Sequence, residues 1–374
     1  MRIAVTTRFL LNDYLEGYGY FIYEAFIRIT TNHPEHEFIF IFDRPFDERF
    51  VFGKNVKAVV TGPPARHPLL WKLWYDFRVP SIIKKYKADV LVSCDGFCSL
   101  TTKIPQCLVL HDLAFLHHPS FIKRSHLLFY KKYTPKFLGK AKTVATVSEF
   151  SKKDILTHYK IEPDKVDVVF SAAKDIFHPA GEEEKAATKN KYSEGKEYFL
   201  YAGAIHPRKN LMTLLKAFSV FKKRQQTNMK LILTGRLAWK YESFAESLKS
   251  YKYRNDVVMT GYVKEEELVK IIGAAYGLVY PSLLEGFGVP VLEAMQCDVP
   301  VITSINSSMQ EIAKDAALFA DATSYNDIAD KMMMLYKDET LRKQLIEKGR
   351  LTAGQYSWNK TADLLWKSIV KACQ

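Results

Sequence analysis

At 374 residues, with 48% hydrophobic, 25% charged and 13% aromatic residues, the chain can fill two hydrophobic cores and is excluded from disorder, peptide hormones and small disulfide scaffolds. Its net charge of +13 lies in one stretch: residues 51–153 hold 18 Lys and Arg against 5 Asp and Glu, and the remainder balances. Five cysteines without framework spacing predict reduced thiols, with Cys94 and Cys98 as buried apolar fillers rather than a zinc pair.

The chain opens on a strand-like run, Ile3 to Thr6, a loop around Gly17 and Gly19, and a helical stretch from Tyr20 to about Thr31. An Arg after so few apolar residues and the absence of a ~20-residue apolar run predict neither a secretory signal nor a membrane span, hence a cytoplasmic protein. Further strands are expected at 38–42, 56–60, 89–92, 106–111, 143–147 and 166–169, alternating with helical segments such as 69–86 and 121–138. Short β-branched runs separated by helical patterns predict a parallel sheet covered on both faces. Residues 171–196, polar and carrying Glu182, Glu183 and Glu184, read as a linker. From Tyr198 the alternation restarts, with strands at 198–202, 230–234, 257–260, 277–280 and 299–303 and helices between them. The fold class is therefore α/β, with two doubly wound Rossmann-like domains whose strand ends face one cleft.

Three segments carry chemistry. Around Glu285, Gly286, Phe287 and Gly288 a buried strand gives way to a helix opened by Pro290, and glycines next to free helix N–H groups make an anion site. Glu285 and Glu293 can then accept hydrogen bonds from vicinal hydroxyls in one cleft; the alternative is a helix cap and a solvated carboxylate. Arg208 and Lys209, adjacent cations after a strand, suit phosphate, one as a bidentate fork and the other as a point charge. His111 ends the strand beginning near Leu108, where ligands of parallel sheets bind.

These segments resemble a known family. Glu285-Gly-Phe-Gly-Val-Pro-Val-Leu-Glu293 is similar to the E-x7-E signature of retaining glycosyltransferase family 4, which has the two-domain GT-B architecture. Tyr201-Ala-Gly203-Ala-Ile-His-Pro-Arg208-Lys209-Asn210 resembles the family's P-R-K-N segment, and His111-Asp112 its His-Asp strand end. Glu16-Gly17-Tyr18-Gly19 departs from the usual G-G-I-G loop, and Ser171-Ala172 stands where relatives often carry Asn-Gly. The resemblance covers the chain to about residue 320 and is most like mannosyltransferase-type members.

The resemblance implies an N-terminal acceptor-binding domain, 1–172, and a C-terminal nucleotide-sugar domain, 173–356, with a helix at about 357–374 packing back on the first. It implies transfer of a hexose, mannose from GDP-mannose being the favoured donor, to a hydroxyl of a glycan, lipid-linked or polysaccharide acceptor with retention. UDP-sugars, or binding without catalysis, are the alternatives. The catalytic set would be His111, Arg208, Lys209 and Glu285. Gly17, Gly203, Gly286, Phe287, Gly288 and Glu293 would complete donor binding, and Gly19 and Asp112 would meet the acceptor. No D-x-D element occurs, so no metal and no cofactor is expected. A nicotinamide dehydrogenase lacks its G-x-G-x-x-G here, and no nucleic-acid motif accompanies the charge. The basic half, with Trp71, Trp74, Phe77, Lys131, Lys132 and Lys136, is expected either to pack into the domain with a solvated lysine face or to rest on an anionic membrane surface.

Overall fold

The computed structural model describes residues 1–12, 15–238 and 241–374. They form two compact units, Met1–Ser171 with Ser357–Gln374, and Ala172–Tyr356.

The first unit contains β1 (Arg2–Thr6), β2 (Glu37–Phe42), β3 (Val56–Val60), β4 (Val90–Ser93), β5 (Gln106–Val109), β6 (Thr143–Thr146) and β7 (Val166–Val168). All pair in parallel, in the order β3-β2-β1-β4-β5-β6-β7. Its helices are α1 (Gly17–Asn32), α2 (Pro68–Leu73), α3 (Val79–Tyr86), α4 (Ala114–His117), α5 (Arg124–Lys140) and α6 (Glu149–His158). The central strands are buried on both faces, which is why they read as continuous apolar runs.

Gly17 and Gly19 were expected in a loop; they lie instead in the first turn of α1. A Cβ at Gly19 would sit 2.5 Å from the Phe9 carbonyl oxygen, so this glycine serves close packing and leaves no room for an acceptor at its α-carbon.

The stretch 69–86 is helical throughout, but Trp74–Arg78 widens into a π turn between α2 and α3. Pro80 has no N–H to give to the Asp76 carbonyl, and the Thr101 hydroxyl takes that place at 2.5 Å. Trp71 and Trp74 are buried, their indole N–H groups donating to the Ala65 carbonyl at 2.8 Å and the Thr61 carbonyl at 2.7 Å. They are core residues and not membrane anchors, because each ring has both an apolar shell and a partner for its N–H. Phe77 remains 63% exposed.

The second unit is built from β8 (Tyr198–Ala202), β9 (Lys230–Thr234), β10 (Val257–Gly261), β11 (Gly277–Tyr280), β12 (Val301–Ser304) and β13 (Ala317–Ala320), parallel in the order β10-β9-β8-β11-β12-β13. Its helices are α7 (Glu182–Ser193), α8 (Leu211–Gln225), α9 (Glu242–Lys249), α10 (Glu265–Gly273), α11 (Val289–Gln296), α12 (Met309–Ala313), α13 (Tyr325–Lys337) and α14 (Glu339–Ala353). Helix α7 occupies nearly half of the segment expected to be a linker. Its three glutamates fill the first turn, where they complement the helix dipole, and Lys191 and Tyr192 bind Glu267 of α10 at 2.5 and 2.6 Å. Ion pairs replace the apolar stripe by which a helix is ordinarily recognised.

The last helix, α15 (Trp358–Cys373), belongs to the first unit, where it lies on α1 and on β4 to β6. Ser357 caps it, Ser368 donates to Asp167 at 2.8 Å, and Trp366 stacks on His33 with centroids 3.9 Å apart. Cys94, Cys98, Cys107 and Cys297 are buried free thiols, and Cys373 is an exposed one. Among the described residues no helix is long and apolar enough to cross a membrane.

Candidate functional site

In each sheet the strand order reverses beside the first strand, between β1 and β4 and between β8 and β11. Loops leaving the carboxyl ends of such a pair diverge to opposite faces and leave a crevice.

At the second sheet these loops carry Arg208 and Lys209 after β8 and Glu285 after β11. Pro207 starts a single 3-10 turn, His206 caps it by accepting from the Arg208 N–H at 3.2 Å, and Asn210 at φ 63° turns the chain into α8. The Asn210 amide donates to the Pro281 carbonyl at 3.1 Å and the Ala322 carbonyl at 2.6 Å, and the Leu283 N–H donates to the Arg208 carbonyl at 2.9 Å. The two loops are thus one hydrogen-bonded unit. Sequence reasoning did not single out Asn210 as this fastener; its place after the two cations, at a position needing positive φ, was the available signal.

Within the unit, Lys209 Nζ lies 2.6 Å from Glu285 Oε1 and 2.6 Å from the Tyr280 hydroxyl, and Arg208 Nη1 lies 3.1 Å from Glu285 Oε2. Arg208 also donates to the Leu284 carbonyl. Tyr280 is stacked on Tyr201, so Lys209 rests on an immobile ring. Burial opposes ionisation of Glu285, but Arg208 and Lys209 outweigh it and bring the carboxyl down to about 2. Within the cluster two cations meet on the one carboxylate of Glu285. An anion that binds there meets donors already aimed by Glu285.

Gly203 follows β8 with φ 143°, and a Cβ at Gly235 would sit 1.9 Å from the Gly203 carbonyl oxygen, so these two strand ends meet backbone to backbone. Gly288 is the residue before α11, with φ 101°, and a Cβ there would fall 2.3 Å from Met309 Cε. Ser308 donates to the carbonyls of Glu285 and Phe287, both at 3.0 Å, which fixes the Glu285–Gly288 turn, Gly286 included. Phe287 is buried with its ring edge-on to Tyr356, so only its backbone is available to a ligand.

Glu293 does not join the Glu285 cluster. It lies partly buried on α11, where burial pushes its carboxyl up to about 7 against the pull of Lys174, with Glu265 adding to the rise. Lys174 is itself 2.6 Å from Glu265.

In the first unit, His111 follows β5, its carbonyl accepting from the Ser151 hydroxyl at 2.9 Å. The ring stands between the edges of Tyr18 and Phe21, with centroids 4.7 and 5.0 Å away. Burial pushes it down to about 4, against Asp112 and a hydrogen bond to the Cys94 backbone, so the imidazole is neutral at pH 7. Its buried Nε2 has no hydrogen-bond partner among the described residues. A neutral ring with one nitrogen on a carbonyl presents the other as an acceptor, the group a ligand hydroxyl seeks. Asp112 uses one oxygen to cap the Ala114 N–H at 2.9 Å, and Gly17 is exposed with open space around its α-carbon.

The same crevice holds a network that no motif announced. Arg8, after β1, pairs with Asp95, after β4, and donates to the Ala65 carbonyl at 3.0 Å. Tyr75 donates to Asp95 at 2.7 Å, Ser93 does so at 2.9 Å, and Arg8 lies over the Phe9 and Phe97 rings at 4.8 and 4.7 Å. Arg8 and Asp95 are 6% and 5% exposed. Arg8, Tyr75 and the Ser93–Asp95 pair come from three separate parts of the chain, so spacing along the chain carries no trace of the whole cluster.

The family model for glycosyl transferases group 1 matches residues 182–352, and that for glycosyltransferase family 4 matches residues 34–172. The chain is 30% identical over 249 residues to the O-antigen chain mannosyltransferase B of Escherichia coli, an alignment covering 66% of this chain and 65% of that one. It is 28% identical over 281 residues to the O-antigen chain mannosyltransferase RfbU of Salmonella typhimurium, covering 72% of this chain and 74% of that one. The crystal structure of HepE from Anabaena in complex with UDP and glucose superposes with a TM-score of 0.75 at 12% identity, covering 98% of this chain and 99% of that one. Fold and matches together place the chain among proteins of the GT-B glycosyltransferase architecture, with one Rossmann-like domain in each unit.

Proposed function

We propose that the chain is a retaining hexosyltransferase that moves mannose from GDP-mannose to a hydroxyl of a glycan or lipid-linked acceptor in polysaccharide synthesis. The observation that carries this reading is the Arg208–Lys209–Glu285 cluster at the β8/β11 crevice: two cations preorganised on one carboxylate. A sugar leaves its nucleotide as the negative charge on the diphosphate grows. Fixed cations stabilise that charge more in the transition state than in the ground state. Arg208 and Lys209 hold the diphosphate, helped by the backbone N–H groups about Phe287 and Gly288, and Glu285 keeps both cations in place while its free lone pairs orient sugar hydroxyls. Glu293 takes the ribose diol. His111 accepts a hydrogen bond from a sugar hydroxyl at Nε2, and the leaving phosphate takes the acceptor proton on the same face.

Mannose as the sugar is supported by the names of the two O-antigen relatives; UDP-sugars are the competing donors, since HepE holds UDP and glucose. A thermal-shift screen of nucleotide sugars, followed by slow donor hydrolysis, tests both points, because a bound donor raises the melting temperature by mass action. GDP-mannose is expected to give the largest shift, and a larger shift with a UDP-sugar reassigns the donor. Catalysis needs no metal at the diphosphate, so EDTA leaves turnover unchanged; a loss restored by Mg²⁺ overturns the two-cation assignment.

The basic stretch supports a place on the cytoplasmic face of an anionic membrane, where a lipid-linked acceptor is reached. Leu69, Phe77 and Leu128 are 73%, 63% and 59% exposed, and Lys84, Lys85, Lys131, Lys132 and Lys136 are exposed on the same unit. Each such lysine is worth about 1 kcal/mol at the surface, enough together for attachment that salt reverses. Sedimentation with anionic vesicles, but not neutral ones, is expected, and changing Lys131, Lys132 and Lys136 to Glu weakens it. Equal indifference to both kinds of vesicle removes the membrane from this reading.

A further inference from the structure

His117, Asp154 and His158 have no part in the chemistry above, yet they converge. Asp154 and His158 are one turn apart on α6, and His117 ends α4, so α4 and α6 each bring donors to one point. His117 Nε2 is 2.9 Å from both Asp154 carboxylate oxygens, His158 Nδ1 is 3.1 Å from Oδ1, and the donor atoms of all three lie within 4.8 Å of one another. Donors around a tetrahedral zinc ion with bonds of about 2.0 Å stand about 3.3 Å apart, so two of these separations are within a few tenths of an ångström of closure. The carboxylate is nearly buried and fixed, while both imidazoles are at the surface, which gives an ion an entry path and the rings room to adjust.

We propose that His117, Asp154 and His158 form a zinc site on the first unit, with one coordination position left to water. Two imidazole nitrogens and one carboxylate suit zinc and its borderline neighbours; Mg²⁺ and Ca²⁺ demand sets of oxygens. His158 Nδ1 now faces the Asp154 carbonyl at 2.9 Å and gives up that contact to bind the ion. The position assigns the ion a purpose. α6 already holds the His111 carbonyl through Ser151, and an ion shared by Asp154 and His117 would replace their direct hydrogen bond with metal bonds between α4 and the same helix. The segment from His111 to His117 is then fastened to α6 at both ends. The site is remote in role from the diphosphate, so a chelator lowers the melting temperature without creating a Mg²⁺ requirement for turnover.

The test is calorimetric titration of the tag-free full chain with ZnCl₂ in a Cys373→Ser background, which removes the exposed thiol. One equivalent is expected to bind, MgCl₂ is expected to give no signal, and saturating zinc raises the melting temperature by about 3 °C or more. His117→Ala and His158→Ala each weaken zinc about tenfold or more, by loss of a ligand, and His118→Ala does not. Because Asp154→Asn risks the fold, the two imidazole variants decide. No binding at micromolar zinc, or undiminished binding in the His117→Ala/His158→Ala double variant, overturns the proposal.

Discussion

The two crevices have the same topology and opposite electrostatics. Beside β1 and β4, Arg8 and Asp95 neutralise each other, Tyr75 and Ser93 satisfy the carboxylate, and aromatic rings close over the guanidinium. Beside β8 and β11, Arg208 and Lys209 both bind Glu285 and stay partly open to solvent. One switch point has used its charge to build itself; at the other, under the proposed function, the cations also serve the donor diphosphate. Where the first unit does present a group, it presents the neutral His111, suited to a hydroxyl rather than a phosphate.

The comparison breaks most forcefully at Asp95. Asp95→Ala strands a buried guanidinium, and a loss of about 3–5 kcal/mol in urea unfolding is expected; a cost within ~0.5 kcal/mol, the range of surface changes, means that the first crevice is not self-satisfied. In the second crevice the fold survives and the reaction suffers. Lys209→Ala and Arg208→Ala each lower turnover by about tenfold or more in a chain that still folds, since they neutralise charge that grows at the diphosphate, and each lowers the unfolding midpoint because Glu285 is left with one cation. Unchanged turnover in either variant removes that residue from the diphosphate site.

The smallest effect concerns Glu293, whose carboxyl is pushed up to about 7 from 4.5. A raised carboxyl pKa means that the folded chain binds more protons than the unfolded one, so its contribution is favourable below the ordinary value and is lost as pH rises through about 7. Glu293→Gln, which cannot ionise, should show a flatter dependence of melting temperature on pH from about 5 to about 8 than the wild type. Parallel curves show that Glu293 is not held against ionisation.

What was legible in the sequence follows from locality. The strands were legible because central parallel strands are buried on both faces and each declares itself within a few residues, as Leu108 and Val144 do. Arg208, Lys209 and Glu285 were each visible beside a strand end, but as separate hands on a ligand. That they grip one another depends on β8 and β11 lying side by side, 76 positions apart in the case of Lys209 and Glu285. Helix α7 was hidden because ion pairs rather than an apolar stripe secure it. Trp71 and Trp74 were left between two readings for a different reason. Aromatic residues among lysines suit a bilayer and a core equally, and only the carbonyls of Ala65 and Thr61, waiting for the indole N–H groups, decide between them.

The placement of α15 has a consequence for how the protein is made. Synthesis delivers Met1–Ser171 long before Trp358–Cys373, with the whole second unit in between. Until α15 leaves the ribosome, Asp167 waits for Ser368 and Lys371, and His33 for Trp366. The unit begun first is therefore completed after the second, and the nascent chain passes through a stage in which the second unit is tethered to a first one whose α15-facing apolar surface is uncovered. Domains usually fold in the order in which they emerge; here α15 delays completion of the first unit until after the second has been made.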